Sequence, residues 1–313
     1  MQARDPRAGA ESAAGPEATG DGARTAFWQL QACVFLWGFT SILGKLIALP
    51  ALALVLWRMA IATAILAVLP RVWRGLRGIG PRALGRHALA GSVIALHWFA
   101  FYASVKLANA SVAVACLALG SVFAAIIEPW ITGRPHERRE LLLGVLAIPG
   151  VLLLIGGVPQ GMQAGVAAGI LAAALTATFA SLNKRFLDPS AEPASVSLLQ
   201  LGLGTLFLAL LGAVGFGVDS TFVAASGSDL AWLVVLAVAC TIVPFLLWLR
   251  ALRHVSAFTT HLSMNLEPVY AIVLAALLFG EHRQLTLQFY AGVAVILATV
   301  MLQPRSAGRA ARG

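Results

Sequence analysis

Ten apolar runs, most of them close to 20 residues long, constrain the fold of this chain more than any other feature. A membrane-spanning helix needs about 20 predominantly apolar residues. Only 11% of the side chains are charged, whereas a soluble domain carries about 25%. The runs therefore predict an all-α membrane protein with ten transmembrane helices. The predicted spans, numbered 1 to 10 in chain order, are 27–47, 50–70, 87–106, 109–131, 141–157, 162–183, 194–217, 230–249, 257–279 and 286–303.

The basic residues indicate how these spans are oriented. Cytoplasmic loops of membrane proteins carry an excess of Lys and Arg, and eighteen of the 22 Lys and Arg residues lie in the two tails and in alternate loops. This distribution predicts that both termini are cytoplasmic. The orientation of the spans thus explains the net charge of +9, so nucleic-acid binding is not predicted. A basic chain rich in Ala and Gly, without transit features, favours a bacterial inner membrane.

The two halves of the chain resemble each other. With a constant offset of 147, residues 97–134 align with residues 244–281, and five positions are identical. The match joins spans 3 and 4 to spans 8 and 9, so each half contains five spans. An odd number of spans forces the second half to insert upside down, as in many secondary transporters. The predicted segments are a disordered cytoplasmic tail, two inverted repeats and a short basic cytoplasmic tail, at 1–26, 27–157, 162–303 and 304–313.

Several motifs resemble those of a known family. They are Trp37-Gly38-Phe39 and Lys45 in span 1, Arg58 in span 2, Tyr102-Ala103-Ser104-Val105-Lys106 in span 3, and Leu266-Glu267-Pro268-Val269-Tyr270-Ala271 and Leu277-Leu278-Phe279-Gly280-Glu281 in span 9. Together they resemble the EamA-type members of the drug/metabolite transporter superfamily. The resemblance implies a central cavity lined by helices 1–4 and 6–9, with helices 5 and 10 peripheral. It also implies export of metabolites, amino acids or drugs, by proton-coupled or facilitated exchange.

An ionisable side chain within a span is costly and usually faces a cavity or a partner. Glu267 lies near the middle of span 9, and Pro268 removes a backbone donor and so frees a carbonyl one turn earlier. The functional hypothesis is that Glu267 takes up and releases a proton as the cavity alternates between the two sides. The alternative is a structural carboxylate that is permanently protonated or hydrogen-bonded to a neighbouring helix.

Two further charged residues lie within spans. Arg58 in span 2 is expected to snorkel, to pair with Glu267, or to bind a substrate carboxylate through its planar guanidinium. Glu128 precedes Pro129 near the cytoplasmic end of span 4, and Arg134 follows closely. A local ion pair or a gate fits Glu128, and we favour the structural interpretation because a carboxylate near the headgroups costs little.

The remaining candidate residues are polar or aromatic. His97 in span 3 is either a proton relay or a hydrogen-bonded interior residue. Trp37, Trp98 and Tyr270 are expected to line an apolar binding cavity, or to pack between helices. Asn265 lies two residues before the carboxylate of span 9, where it would bond within the site or to its own helix.

These observations favour a secondary transporter, and not an enzyme, that exports a small molecule with H+ as the hypothetical coupling ion. Its predicted partners are that substrate and the membrane lipids, and no cofactor or metal is predicted. Because the sequence contains no GxxxxGK[ST], ATP hydrolysis is not expected. The competing classes are an intramembrane enzyme, whose nucleophile and base are not evident from the sequence, and a non-transporting sensor or scaffold, which would carry a folded soluble domain.

Overall fold

The computed structural model of the protein describes residues 20–77, 79–133, 135–186, 191–244 and 266–302, together with residue 247. Within these ranges the chain is helical and contains no β-strand, which confirms the all-α prediction. Asn265 and the first part of span 9 lie outside the described residues.

The described part of the first half forms seven helices. They are α1 (Gly20–Leu46), α2 (Ala51–Ala67), α3 (Pro70–Leu76), α4 (Pro81–Leu107), α5 (Ala110–Leu117), α6 (Gly120–Thr132) and α7 (Arg138–Gly156). Helix α1 begins at Gly20, inside the segment predicted to be a disordered tail. Among residues 21–26, Ala23, Arg24 and Ala26 are good helix formers, which favours extension of the helix beyond the apolar run.

In its described residues, the second half forms six α-helices, two short 3-10 turns and a π-helical turn. They are the 3-10 turn Gln160–Met162, α8 (Gln163–Phe186), α9 (Pro193–Phe216), α10 (Val218–Thr221), α11 (Gly227–Ala237), the π-helical turn Val238–Ile242, α12 (Glu267–Phe279), the 3-10 turn Glu281–Arg283 and α13 (Leu287–Met301).

By length and apolar composition, five of the described helical segments can each cross a membrane. They are Phe27–Leu46, Pro81–Leu107, Ala110–Thr132, Gln160–Phe186 and Pro193–Phe216. Helices α2 and α3 would make a sixth segment, although the chain bends by 91° between them. Four shorter apolar helices lie within α7, α11 with its π-helical turn, α12 and α13. The ten crossings therefore stay a prediction.

The internal repeat is visible in the bounds of α6 and α12. Each helix has 13 residues, and their first residues, Gly120 and Glu267, are 147 positions apart. Each ends at a glycine with left-handed backbone, Gly133 at φ 80° and Gly280 at φ 64°. Glycine is the usual residue at this position because it lacks a Cβ atom. The offset found in the sequence thus reappears as equal helix length and equal helix termination.

Helix α4 lies at the centre of the bundle. It packs against α8, α9 and α2, while α1 packs against α12 and α6 packs against α8. Gly91 of α4 meets Gly204 of α9, where a Cβ atom on Gly204 would lie 2.4 Å from the carbonyl oxygen of Gly91. Small residues let membrane helices approach closely in this way. Helices α7 and α13, which contain most of predicted spans 5 and 10, pack against each other.

The segments between helices fall into two groups, because the described segments contact one another only within each group. One group joins the connections that follow α1, α4, α7 and α12 with the start of α11, and we call it the Glu281 end. Its contacts are Ala48 N to Asp229 Oδ1 (2.8 Å), Lys106 Nζ to the carbonyl oxygen of Ile47, Lys45 Nζ to Glu281 Oε1 (2.7 Å), Asn109 Nδ2 to Met162 Sδ (4.0 Å) and Thr286 Oγ1 to the carbonyl oxygen of Gly157 (3.0 Å).

The second group joins α3, the start of α4, the end of α6, the end of α8 and the start of α9, and we call it the Glu128 end. Its contacts are Ser195 Oγ to the carbonyl oxygen of Val72 (2.7 Å), Lys184 to Glu128, Arg185 to the carbonyl oxygen of Ile131, and the guanidinium of Arg86 over the Phe186 ring (5.0 Å). The connections therefore alternate between two ends along the described chain.

Candidate functional site

Among the described residues, Arg58 is the most deeply buried basic side chain, with 2% of its surface exposed. Its guanidinium donates to the hydroxyl of Tyr102 (2.8 Å), to Oγ1 of Thr241 (3.0 Å) and to the carbonyl oxygen of Cys240 (3.4 Å). These contacts tie α2 to α4 and to the π-helical turn. Snorkelling to the membrane surface, one of the alternatives for Arg58, is therefore not observed.

The π-helical turn after α11 supplies two of these partners. A π-helical turn departs from the regular i→i−4 hydrogen-bond pattern, so its carbonyl groups are open to other donors. The hydroxyl of Thr241 donates to the carbonyl oxygen of Leu236 (3.0 Å) and accepts from Arg58. The carbonyl oxygen of Cys240 accepts from the same guanidinium. The π-helical turn thus supplies two hydrogen-bond acceptors for the buried guanidinium of Arg58.

Two aromatic side chains of α4 enclose the same guanidinium. The Cζ atom of Arg58 lies 4.0 Å from the ring centre of Trp98 and 5.7 Å from that of Tyr102, within the range of cation–π attraction. Tyr102 is fully buried and packs on Gly44 of α1, where a Cβ atom would lie 2.4 Å from its ring. Trp98 is only half-buried, so part of its indole faces accessible space.

Glu267 is the first residue of α12, and it is partly exposed although it lies inside the chain's apolar helices. Among the described residues its carboxylate has no hydrogen-bond or ion-pair partner, and Arg58 is the charged group that acts on it electrostatically. A helix N-terminus carries partial positive charge and favours a carboxylate. The predicted ion pair between Glu267 and Arg58 is not formed, because no nitrogen of Arg58 lies within 4.0 Å of a carboxylate oxygen of Glu267.

The start of α12 is held against α1. Tyr270 donates to Oε1 of Gln31 (3.2 Å) and meets Phe35 edge to face at 5.7 Å. A Cβ atom on Gly38 would lie 3.3 Å from the Cβ of Tyr270, so glycine permits the close approach. Trp37 is half-buried on α1, and none of the described polar or ring contacts of the site includes it.

His97 lies on another face of α4. Its side chain is buried, its Nδ1 donates to the carbonyl oxygen of Ala172 of α8 (2.8 Å), and its ring stacks on Phe101. This geometry favours the hydrogen-bonded interior residue over the proton relay. Trp98, one position further along α4, instead faces Arg58.

Glu128 lies away from the Arg58 cluster, at the Glu128 end of the bundle. It forms an ion pair with Lys184, a residue near the end of α8. The side chains are 18% and 65% exposed, respectively. The interpretation of Glu128 as a local ion pair agrees with this arrangement, although the partner comes from span 6.

Sequence reasoning missed the polar cluster around Glu281. Its carboxylate is fully buried and accepts four hydrogen bonds, from Lys45 Nζ (2.7 Å), Ala110 N (3.2 Å), Ser111 N (2.9 Å) and Ser111 Oγ (2.7 Å). Burial alone would raise the pKa of Glu281, but the hydrogen bonds from Lys45 and Ser111 outweigh it and hold the pKa below its ordinary value. Lys45 and Glu281 both stood in the family motifs, yet nothing in the sequence linked residues 236 positions apart.

Among the described residues, no group of three or more His, Cys, Asp or Glu side chains is placed to hold a metal ion. The three cysteines are buried and form no disulfide. The polar chemistry of the described bundle is therefore that of hydrogen bonds and ionisable side chains around Arg58, Glu267 and Glu281.

Comparison with known proteins places this architecture in a family. The model of the EamA-like transporter family matches residues 25–156 and 163–303, one match for each half of the chain. No curated protein matches. A solved structure titled "Crystal structure of protein" is similar in fold, with a TM-score of 0.57, 17% identity, and coverage of 88% of this chain and 95% of that chain. The protein belongs to the EamA-like transporter family.

Proposed function

We propose that this protein is a ten-span secondary transporter, built from two inverted five-span halves, that exports a small molecule across a bacterial inner membrane. Members of its family are membrane transporters of the drug/metabolite transporter superfamily. Alternating access around a central site is the usual mechanism of inverted-repeat transporters. The coupling ion in this proposal is H+, and both termini are cytoplasmic.

The sorting of the connections supports ten crossings. In a ten-span chain, the connections after odd-numbered spans lie on one side of the membrane and the others lie on the opposite side. The Glu281 end and the Glu128 end follow this alternation in the described residues. The four shorter apolar helices and α2 supply the crossings beyond the five that qualify by length.

The observation that carries the proposed mechanism is the carboxylate of Glu267. It starts a helix within a predicted span, is partly exposed, has no hydrogen-bond partner among the described residues and lies in the field of Arg58. Broken helices whose ends point into the membrane interior form the substrate and ion sites of many secondary transporters. Protonation would remove the attraction between Glu267 and Arg58 and so change the relative stability of two conformations.

In this mechanism Arg58 is a positioning residue. Its contacts with Tyr102, Thr241 and Cys240 hold three helical segments together, and its 2% exposure leaves little surface for a substrate. The half-buried Trp98 and Tyr270 provide aromatic surface beside the two charges. The substrate site we propose therefore lies between Trp98, Tyr270 and Glu267.

A flux experiment tests this function. Compounds that raise the melting temperature of the purified protein, chosen from amino acids, nucleosides, sugars and cationic drugs, identify a ligand class. Proteoliposomes then measure movement of the ligand driven by a pH gradient. The variant Glu267→Gln keeps the shape of the side chain but cannot release a proton, so we expect gradient-driven flux to fall to the level of empty liposomes.

The matched control is Glu128→Gln, which removes a carboxylate from an exposed ion pair of the same chain. Its gradient-driven flux should stay close to that of the wild type. Unchanged dependence on the pH gradient in the Glu267→Gln variant would refute proton coupling through this residue. A wild-type protein that moves no stabilising ligand would refute transport of the compounds tested.

A further inference from the structure

Glu281 joins three separate helices at one end of the bundle. Its two carboxylate oxygens accept from Lys45 at the end of α1 and from the first two residues of α5, while Glu281 itself lies two residues after the end of α12. Asn109 accepts from the third amide of α5, that of Val112 (2.9 Å). The first three N–H groups of α5, which have no partner within the helix, are thus all bonded.

Lys45 makes this junction more than a helix cap. Its ammonium donates to Glu281 and lies 4.5 Å from the ring centre of Phe279, the last residue of α12. The Lys45 side chain is 32% exposed, whereas that of Glu281 is 0% exposed. The carboxylate is therefore shielded from water while its cationic partner reaches toward the surface.

The opposite end of the bundle contains another Glu–Lys pair that joins the two halves of the chain. Helices α1 and α8 are the first predicted spans of their halves, and α6 and α12 end the fourth. Lys45 links the ends of α1 and α12, and Lys184 links the ends of α8 and α6. The second pair is exposed, and exposed ion pairs contribute little to stability.

Helix α12 connects the buried junction to the proposed transport site. Glu267 is its first residue and Glu281 follows its last, so a rod of 13 residues, about 20 Å long, separates the two carboxylates. A rigid helix transmits a displacement of one end to the other. Movement of Glu267 on substrate or proton binding would pull on the bonds between Glu281, Lys45 and α5.

From this arrangement we propose that Glu281 is a gating residue: together with Lys45 and the N-terminus of α5 it forms a latch that closes the Glu281 end of the transport site. The latch opens when α12 moves away from α5 and α1. In this proposal the exposed Glu128–Lys184 pair does not close the other end. The gating role rests on the proposed transport function, whereas the junction of Lys45, Glu281 and α5 is a property of the fold.

Hydrogen–deuterium exchange of the full-length protein in lipid nanodiscs tests the closure without any substrate. In the variant Glu281→Gln, peptides that cover residues 110–117 should exchange about tenfold faster than in the wild type, because the bonds of their first amides to a charged acceptor are lost. The matched variant Glu128→Gln should leave these peptides unchanged. Equal exchange in Glu281→Gln and the wild type would overturn the latch.

A second variant covers the case in which Glu281→Gln does not fold. Lys45→Met leaves the carboxylate bonded to α5 but removes its link to α1, so faster exchange is expected in peptides covering residues 43–49 and 279–284. Unchanged exchange there would also overturn the latch. If the wild-type protein transports nothing but the variants still exchange faster in these peptides, the proposed transport function is refuted. The role of the junction in holding the three helix ends together is then still supported.

Discussion

The two ends of this bundle contain the same pair of residue types, Glu and Lys, in different surroundings. At the Glu128 end, Lys184 is 65% exposed and Glu128 is 18% exposed, so water competes for the ammonium of the pair. At the Glu281 end, the carboxylate is fully buried and three of its four hydrogen bonds come from the start of α5. From this difference we expect burial and backbone donors, rather than the charge pair itself, to decide how strongly such a contact holds helices together.

The largest expected difference between the two ends comes from exchanging the Lys and Glu of each pair. In the double variant Lys45→Glu with Glu281→Lys, the ion pair is kept, but an ammonium replaces the acceptor of the α5 amides and lies at a positive helix end. We expect the free energy of unfolding to fall by about 3–4 kcal/mol, measured by denaturant titration in detergent micelles.

The same exchange at the other end is the control. Glu128→Lys with Lys184→Glu should lower the free energy of unfolding by less than about 1 kcal/mol, because an exposed pair contributes little in either orientation. Similar losses for the two exchanges would show that the Glu281 junction is an ordinary ion pair.

Truncation of the buried carboxylate should have a smaller effect. Glu281→Ala leaves the ammonium of Lys45 and the α5 amides without their acceptor, which costs about 2–3 kcal/mol of unfolding free energy. Glu128→Ala is the matched truncation, and its cost should stay below about 1 kcal/mol. Melting curves of the two variants, recorded together in one detergent, decide between this expectation and equal losses.

The smallest expected effect is the pH dependence of the stability that Glu281 contributes. The pKa of Glu281 is lower in the folded protein than its ordinary value, which is about 4.3. The group therefore adds stability that is fully present above that ordinary value and is lost as the pH falls through the folded pKa. The difference in melting temperature between wild type and Glu281→Gln should be constant near neutral pH and narrow only below about pH 4.

A difference that narrows already near pH 6 would contradict this assignment, since the carboxylate would then be protonated too early. Melting temperatures of the wild type and of Glu281→Gln, measured from pH 7 to pH 3, provide this result.

Several parts of the fold followed from local sequence. The apolar runs predicted the all-helical class, and the repeat offset of 147 reappears in the bounds of α6 and α12. The break between α5 and α6 was not predicted, because residues 118 and 119 are Ala and Leu and the nearest proline, Pro129, lies ten residues further on. The π-helical turn at Val238–Ile242 was equally hidden, since its Cys and Thr residues also occur in regular helices.

The candidate site followed only in part. Glu267, Arg58 and Trp98 were identified because charged or amphipathic side chains inside apolar runs stand out by type. The partners of Arg58 were missed, because Tyr102 and Thr241 come from helices 44 and 183 positions away. His97 has the same kind of position in the sequence, yet its ring bonds to α8 instead.

The sequence by itself determined the membrane environment of this protein, its helical class, its repeat and its family resemblance, because these properties follow from residue patterns that are local along the chain. Only the tertiary structure decided which polar groups meet. When helices are apolar on every face, the pattern of residues does not reveal the inward face. The junction of Lys45, Glu281 and the start of α5 exists because three distant helix ends pack together, and a buried carboxylate is stable only where packing supplies its donors.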